Sequence, residues 1–411
     1  MKSLFTKKFI TALSLSFLYT AAFASTITDY KISGLKKTKP ETLKPYLDTF
    51  LNKDSEEIDL HEIETTLRTY GIFSDIEVTL TETEGDENAE TDSKTSALNI
   101  SLKEKITLLP LPFAFYSSKN YGGGLFILNS NAFGKKDVLA AGGMILSDRI
   151  FGMFTYSHAP ESNSLGWSLF SSAGKTDHTI TDISDKELIK YYNTGFSFSG
   201  GISERLNSFC TLSQNIGYSY NNFSDCEYKD SHNINTSVAF NANFSDWNGY
   251  FLLTKSLNLR GGADYSSVND FSENASFSLT LQNNFFTPRI RSIIDLKTSY
   301  QHGVSIENKN SASDCGLKII SGNFVSTELA LARLSLEGAV YKSSAITMSL
   351  LGSYEADFAK DYDDSAAICH GPGFGFYVYL EKIALPALGF TYSYNVNKKY
   401  STFNFSLGAS F

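Results

Sequence analysis

The chain has 411 residues, a formal net charge of −9 and four cysteines. A protein that binds nucleic acid needs a basic surface to meet the phosphates, so this charge argues against nucleic acid as a partner. Helical periodicity is confined to roughly the first hundred residues, and the later sequence alternates with a period of two. The cysteines are too few and too scattered for a disulfide scaffold or a zinc knuckle; they are Cys210, Cys226, Cys315 and Cys369.

The first 24 residues have the pattern of a secretory signal peptide. Three lysines precede a mostly apolar run at 9–18, and Ala22-Phe23-Ala24 follows as a small-x-small cleavage site. The alternative is the amphipathic first helix of a cytosolic protein. A signal peptide predicts export. The later sequence contains no run of about 18 apolar residues, so we expect no helical membrane span.

Residues 25–105 have the pattern of a small α+β domain. Residues 27–32 alternate as a strand, and Pro40 begins a helix with one apolar face. Asp59 is the expected N-cap of a second helix, which ends at Gly71. With two further strands behind them, the order is strand, helix, helix, strand, strand, and we expect both helices on one face of the sheet.

The two further strands of this domain are predicted at 76–80 and 98–102. Between them lies the segment 82–95, which carries six acidic residues. Two interpretations of the segment stay open: an acidic docking loop for a basic client, or the solvated tip of a hairpin.

Residues 106–411 divide into sixteen alternating segments. A strand that crosses an outer membrane needs about 9–11 residues, and bacterial barrels have an even number of strands. The pattern therefore predicts a mainly β protein, with a 16-stranded antiparallel transmembrane β-barrel behind the small domain. The predicted strands are 106–118, 121–132, 136–147, 149–159, 164–174, 191–202, 208–221, 232–244, 248–266, 273–283, 287–302, 326–340, 344–358, 371–381, 386–395 and 400–411.

The last predicted strand has one apolar and one polar face. Phe403, Phe405 and Phe411 point to one side, and Asn404 and Ser406 point to the other. Such a strand meets lipid on one face and a polar lumen on the other. An aromatic residue at the end of this strand is similar to the signal that the assembly machinery reads in outer-membrane proteins.

The lengths of the connections predict the orientation of the barrel. If the first strand starts in the periplasm, every second connection faces outward, and outward loops are the longer ones in such barrels. Long outward connections are predicted at 175–190, 222–231, 303–325 and 359–370, and short inward turns at 133–135, 203–207, 284–286, 341–343 and 382–385.

The segment from Leu67 to Val78 combines a helix end, a glycine, an aromatic residue and a strand. It resembles the POTRA domain, the periplasmic module of outer-membrane assembly proteins. The resemblance implies that Gly71 supplies a left-handed turn and that Phe73 fills the gap between helix and sheet.

Four segments of the barrel region resemble the BamA/TamA-type assembly and two-partner secretion superfamily, also called the bacterial surface antigen family. Segment 129–136 is similar to the family's turn after the second strand, and 328–338 to a strand beneath its sixth external loop. Segments 371–376 and 386–394 are similar to its last strands. The resemblance covers essentially the whole mature chain. It implies a bacterial outer-membrane location, an N-terminal domain in the periplasm and no catalysis.

One loop departs from the family pattern. In the family, the sixth external loop folds into the lumen and carries an arginine that pairs with acidic wall residues. The corresponding segment here, 303–325, contains no arginine. The resemblance makes Lys318 a candidate substitute, with Glu355 or Asp357 as its wall partner; the alternative is that Lys318 lies in solvent. A lysine lacks the bidentate fork of arginine, so a weaker ionic anchor is expected.

A disulfide is a second candidate anchor for this loop. It would join Cys315 in the loop to Cys369 in the next external connection, provided that their Cα atoms lie within about 7 Å.

The sequence carries no motif of a known enzyme site: GxSxG, HExxH, Walker A and CxxC patterns are all missing. His158 is the nearest candidate for the Ser–His pair of an outer-membrane phospholipase. His370, near Cys369 and Asp364, is a weak candidate for a metal ligand. We therefore predict no enzyme activity, no cofactor and no metal.

The leading functional hypothesis is an outer-membrane protein assembly or translocation factor, whose first and last strands form a seam for client strands. The expected partners are outer-membrane lipids, unfolded outer-membrane or exported client proteins, and periplasmic chaperones or accessory lipoproteins. The alternative is a passive pore or structural surface barrel without insertase activity. The missing loop arginine and the single periplasmic domain favour that alternative.

Overall fold

A computed structural model describes the greater part of the chain. The predicted signal peptide (1–24), most of the acidic segment and Phe411 lie outside the described residues. The described residues are 25–83, 95–116, 121–146, 150–160, 164–224, 229–268, 270–361, 365–384 and 387–407.

The N-terminal part is a three-stranded sheet with helical segments. Its elements are β1 (Thr26–Ser33), α1 (Lys44–Leu47), α2 (Leu60–Thr69), β2 (Phe73–Thr83) and β3 (Thr95–Glu104). The sheet order is β1-β3-β2, with β1 parallel to β3 and β2 antiparallel to β3. This order of strands and helices agrees with the sequence pattern.

The first predicted helix is interrupted. Two 3-10 turns, Pro40–Thr42 and Asp48–Phe50, flank the single turn of α1, and a third lies at Ser55–Glu57. Pro45 in α1 has no N–H to donate to the preceding turn, so the segment cannot run on as one α-helix.

The second helix begins and ends as its sequence indicates. The Asp59 carboxylate accepts a hydrogen bond from the His61 N–H at 2.9 Å, which makes it the N-cap of α2. Gly71 has a φ of +71°, and Phe73 is 2% exposed between α2 and the sheet. The buried core of this part consists of Ile27, Leu43, Leu47, Ile63, Leu67, Ile72, Phe73, Ile76, Leu98, Ile100 and Leu102.

From residue 108 onward, the described residues form one antiparallel sheet of 16 strands, which agrees with the predicted strand number. A separate two-stranded hairpin, formed by 310–311 and 325–326, interrupts the series. The strands are β4 (Leu108–Tyr116), β5 (Tyr121–Ala132), β6 (Asp137–Leu146), β7 (Ile150–His158), β8 (Gly166–Thr181), β9 (Glu187–Arg205), β10 (Cys210–Ser224), β11 (Ser231–Trp247), β12 (Leu252–Ser266), β13 (Asp270–Phe285), β14 (Thr287–His302), β15 (Asn310–Ser311), β16 (Val325–Ser326), β17 (Glu328–Lys342), β18 (Ile346–Lys360), β19 (Ala366–Leu380), β20 (Leu388–Asn395) and β21 (Tyr400–Leu407).

The large sheet has two edges. Each strand pairs with its neighbour in sequence, and β14 pairs with β17 across the small hairpin. β4 and β21 are the end strands, and no ladder joins them within the described residues. The strand count and order thus agree with the predicted barrel, whereas the sheet is open between its first and last strands.

Alternate side chains of these strands form an apolar outer face. Ile216, Phe271, Phe374 and Phe403 are between 59% and 70% exposed. An outer face of this kind suits contact with lipid, because apolar surface is costly in water. Among the described residues, no helix has the length and hydropathy that a membrane crossing needs.

The predicted loop at 175–190 is wrong. β8 continues to Thr181 and β9 begins at Glu187, which leaves a connection of 182–186. Asp177 pairs with Tyr192 in this extension, although the side chains there no longer alternate between polar and apolar. The ladder continues because its bonds join backbone groups, which require no lipid-facing pattern. For the same reason, the connections predicted at 222–231 and 359–370 are shorter than expected, since β10 ends at Ser224 and β19 begins at Ala366.

The N-terminal part lies at the end of the sheet that carries the predicted inward turns, which we call the inner rim. The Lys39 N–H and the Thr42 hydroxyl both donate to the Gly134 carbonyl at 2.9 Å, in the turn between β5 and β6. Gly134 has a φ of +71°, and a Cβ there would lie 2.3 Å from the Lys37 carbonyl oxygen. Only glycine fits this contact.

Two further contacts hold the N-terminal part at the inner rim. The Arg68 guanidinium of α2 lies 4.6 Å from the centre of the Trp247 ring, at the end of β11. The Ile106 N–H donates to the Lys382 carbonyl, and the Ala384 N–H donates to the Ile106 carbonyl, both at 2.9 Å. The chain that leads into β4 is therefore joined to the turn between β19 and β20.

Candidate functional site

The connection between β14 and β17 forms a packed unit, which we call the lumen loop (303–327). The hairpin of β15 and β16 closes its base, where the Ala312 N–H donates to the Phe324 carbonyl at 2.8 Å. Ala312, Ile319 and Phe324 are buried against the sheet. Their apolar cluster consists of Ile183, Ala312, Leu317, Ile319, Ile320, Phe324, Leu329, Leu331, Ala359 and Cys369.

Beneath the lumen loop, three charged residues lie directly opposite one another on adjacent strands. We call Asp295 of β14, Arg333 of β17 and Glu355 of β18 the wall triplet. Arg333 Nε lies 3.3 Å from Asp295 Oδ2, and Arg333 Nη1 lies 3.0 Å from Glu355 Oε2. All three side chains are buried, so the two carboxylates stabilise a cation that burial alone would disfavour.

The lumen loop binds the wall triplet through its backbone. The N–H groups of Lys318 and Ile319 donate to Glu355 Oε1 at 2.6 and 3.2 Å, and Arg333 Nη1 donates to the Gly316 carbonyl at 3.4 Å. Hydrogen bonds to charged groups are about twice as strong as neutral ones. The arginine that anchors the loop therefore comes from the wall, and the loop supplies backbone donors and one carbonyl.

The structure brings Lys318 to Glu355, but through the backbone N–H of the lysine. The ammonium lies 3.5 Å from the Tyr377 hydroxyl, and no ion pair joins it to Glu355 or Asp357 in the described residues. Burial, followed by the nearby Arg333 charge, lowers the pKa of Lys318 to about 8. Asp357 is buried in β18 opposite Leu331. A functional role for Lys318 or Asp357 stays a prediction.

The candidate disulfide does not form in the structure, where Cys315 and Cys369 are both free thiols. Cys369 is fully buried in the apolar cluster, and Cys315 packs against that cluster. Both cysteines therefore act as small apolar residues that pack beneath the lumen loop, and no covalent bond joins them.

A second buried ion pair lies nearer the inner rim. Arg291 of β14 lies directly opposite Glu337 of β17, with Nη2 2.6 Å from Oε2. Arg291 Nη1 also donates to Gln282 Oε1 at 2.8 Å, and the Tyr379 hydroxyl donates to Glu337 Oε1 at 2.7 Å. These contacts satisfy both buried charges.

The two ion pairs fix the register of β14 against β17. On β14 the acid, Asp295, follows the base Arg291 by four residues, and on antiparallel β17 the acid, Glu337, follows the base Arg333 by four. A shift of four residues would place like charges opposite each other, which is unfavourable.

The last two strands also hold the lumen loop. Asn395 Nδ2 of β20 donates to the Ile319 carbonyl at 3.1 Å. The Ser321 N–H donates to the Tyr400 hydroxyl of β21 at 3.0 Å. The loop therefore joins the wall triplet to the edge strand of the sheet.

The tip of the β8–β9 hairpin reaches the same place from the other half of the sheet. The Thr181 N–H donates to the Asn323 carbonyl at 3.2 Å, and Ile183 is 2% exposed in the apolar cluster. The Tyr400 hydroxyl donates to the Ile183 carbonyl at 3.5 Å. One hydroxyl of the edge strand thus contacts both external segments.

The two candidate histidines bond to aspartate and tyrosine partners in the described residues, and Asp364 lies outside those residues. His158 Nδ1 lies 2.6 Å from Asp137 Oδ1, and no serine hydroxyl bonds to this ring in the described part of the chain. His370 Nδ1 lies 2.6 Å from the Tyr354 hydroxyl. No group of three or more His, Cys, Asp or Glu residues with metal-site geometry occurs in the described ranges.

Sequence reasoning missed Asp295, Arg333 and the Arg291–Glu337 pair. Their signal is a charged residue at an inward position of a strand whose neighbouring inward positions are apolar, as at Arg333 after Leu329 and Leu331. The pairing itself depends on strand register, which alternation does not specify.

No protein-family model matches the sequence, and no curated protein matches it. The fold defines a class by its architecture: an outer-membrane-type barrel sheet of 16 antiparallel strands, with a long loop seated on its inner wall and a small domain at its inner rim.

Within that class, the chain has the fold of the BamA and CdiB barrels. It is similar to BamA from Haemophilus ducreyi lacking POTRA domains 1–3, with a TM-score of 0.53, 13% identity and coverage of 93% of this chain and 84% of that chain. CdiB from Acinetobacter baumannii is similar with a TM-score of 0.60 and 12% identity, and the match covers 94% of this chain and 74% of that chain. CdiB from Escherichia coli is similar with a TM-score of 0.58 and 14% identity, and the match covers 91% of this chain and 73% of that chain. The fold that the resemblance predicted, a barrel sheet like those of BamA and CdiB, is confirmed.

Proposed function

We propose that this protein is a non-catalytic factor for the assembly or translocation of other proteins in the bacterial outer membrane. The observation that carries the proposal is the open sheet, whose end strands β4 and β21 have no ladder between them in the described residues. Unpaired backbone N–H and C=O groups cost several kcal/mol each in lipid, of the order of 2–7. An incoming client strand would pair with such an edge and remove that cost.

The N-terminal part supports the proposal by its place at the inner rim, which would face the periplasm. It would act as a POTRA-like domain that receives unfolded clients by adding a strand to the edge of its sheet, at β1 or β2. The predicted signal peptide agrees with this location. Outer-membrane lipids would surround the apolar face, and periplasmic chaperones or accessory lipoproteins would deliver clients.

The seated lumen loop supports this function over that of a passive pore. Glu355 and Asn395 hold the loop against the wall of the lumen. We therefore expect the lumen to be blocked to ions most of the time and to open only briefly. A steady conductance in planar bilayers would favour the pore instead.

Depletion of the protein in its own cells tests the proposal. We expect a defined set of outer-membrane or exported proteins to fall together in quantitative proteomics of the outer-membrane fraction. Re-expression of the wild-type chain should restore the same set. If only this protein disappears and all others hold steady, the assembly function is wrong.

A further inference from the structure

The two edge strands of the seam differ in their backbone chemistry. β4 contains Pro110 and Pro112, and β21, with the sequence YSTFNFSL, contains no proline. Proline has no N–H, so a strand edge that presents prolines lacks hydrogen-bond donors at those positions.

The phase of the ladder shows which edge of β4 the prolines face. The Ser130 N–H donates to the Thr107 carbonyl at 3.1 Å, which makes this pair a hydrogen-bonded one at the base of the β4–β5 ladder. Hydrogen-bonded and non-bonded pairs alternate along an antiparallel ladder. Pro110 lies opposite Ile127, an odd number of steps further on, and therefore at a non-bonded position. Pro112 has the same phase, so both ring nitrogens face the open seam.

The two edges thus offer different surfaces to an incoming strand. The edge-facing residues of β4 are those at 108, 110, 112, 114 and 116, and two of these five positions lack a donor. On β21 each residue carries an N–H, so its edge is complete. β4 begins at the inner rim, which places the missing donors in the inner half of the seam.

We propose that β21 is the strand that binds an incoming client strand, and that the prolines of β4 keep the inner half of the seam from closing. The partner is an extended segment of an unfolded polypeptide, which pairs with β21 through its backbone. β4 offers carbonyl acceptors at 110 and 112 and cannot complete a ladder with either β21 or the client. This inference rests on the proposed function and adds which edge carries it.

Hydrogen exchange on the purified full chain in lipid nanodiscs tests the first part. The double variant Pro110→Ala/Pro112→Ala restores two N–H groups on the seam side. We expect β21 to exchange at least about tenfold more slowly in this variant, because two new hydrogen bonds can form across the seam. The matched control is Pro288→Ala at the start of β14, away from the seam, which should leave β21 unchanged.

Unchanged exchange in β21 of the double variant, or equal slowing in Pro288→Ala, would overturn the proposal. If the double variant does not fold, the single variant Pro112→Ala carries the same test, with a smaller expected effect of about threefold.

Cross-linking tests the second part. The probe is a ten-residue alternating Thr/Val peptide that carries a benzoylphenylalanine, and it is added to the wild-type protein before irradiation. We expect cross-links at 400–407, and cross-links concentrated at 108–113 would show that β4 is the binding edge. Both measurements use the purified protein without cellular clients. A failed depletion experiment would therefore remove the cellular role, whereas these results decide only the difference between the two edges.

Discussion

The two halves of the large sheet use the same geometry on the lumen face with different chemistry. In β9 to β13, glycines lie directly opposite asparagines of the next strand, and a Cβ on Gly217 would lie 2.6 Å from Asn235 Oδ1. In β14 to β18, arginines lie directly opposite carboxylates. The neutral pairs are Gly201–Asn215, Gly217–Asn235 and Gly262–Asn274, and the charged pairs are Arg291–Glu337, Asp295–Arg333 and Arg333–Glu355.

The difference explains why the lumen loop lies on the charged half. An asparagine opposite a glycine fills the space beside it, and its neutral amide bonds within the sheet, as Asn274 Nδ2 does to Asp264. A carboxylate such as Glu355 has acceptor capacity left after its contact with Arg333, and two loop N–H groups use it. Cross-strand pairs therefore shape the neutral half, whereas the charged half also binds a loop.

Glu355→Ala is expected to have the largest effect. The loop N–H groups of Lys318 and Ile319 would lose their acceptor, and Arg333 would keep Asp295 as its only carboxylate partner among the described residues. Breaking a buried ion pair by removing one partner costs about 3–5 kcal/mol. We expect a lower free energy of unfolding and long open events in planar bilayers, where the wild type stays mostly closed.

The control for this variant lies on the neutral half. Asp264 of β12 faces the lumen, accepts from Asn274 Nδ2 at 2.8 Å and contacts no part of the lumen loop among the described residues. Asp264→Ala should cost about 1 kcal/mol and leave the conductance closed. Equal opening in both variants would contradict the distinction between the halves.

Gly134→Ala tests how the turn between β5 and β6, outside the charged half, holds the N-terminal part. The left-handed backbone costs an L-residue about 1–2 kcal/mol, and here the Cβ also meets the Lys37 carbonyl oxygen. The control Gly249→Ala has a φ of +91° and no heavy atom within 4 Å of the new Cβ. We expect faster hydrogen exchange at 37–42 in Gly134→Ala only. The same change in the control would show that backbone strain alone acts.

Tyr400→Phe removes one hydroxyl that contacts both external segments. We expect a loss of about 1 kcal/mol and faster hydrogen exchange in both 182–186 and 318–323. Tyr392→Phe is the control, because its hydroxyl contacts Ser401 Oγ at 2.6 Å on the outer face. Faster exchange in only one segment would show that Tyr400 does not join them.

The smallest expected effect is a dependence on pH. The pKa of Lys318 is about 8 in the seated loop and about 10.4 in a free lysine. Between these values the released loop binds more protons than the seated loop, so seating strengthens as pH rises from 8 towards 10. Below pH 8 Lys318 is protonated in both states, so the full cost of burying its charge opposes seating of the loop. Protease resistance of the loop should therefore be higher at pH 9.5 than at pH 7, and Lys318→Met should remove this difference.

The parts that the sequence predicted depend on local patterns. Asp59 and Gly71 bound α2 as expected, and Phe403 points outward from a strand whose pattern is visible in six residues. The candidate Cys315–Cys369 disulfide is not formed, since two cysteines can lie near one cluster without meeting the geometry of a bond. The extension of β8 and β9 was missed because its side chains do not alternate between polar and apolar, and alternation was the signal used to find strands.

By itself, the sequence determined the order of the two parts, the number of strands and the face that each strand turns outward. A period of two and a few capping residues encode these features locally. Only the tertiary structure decided that Arg333 lies between Asp295 and Glu355, and that the backbone of Lys318 binds the wall. Backbone N–H groups are the same in almost every residue, so which of them reaches a buried carboxylate depends on register and loop path.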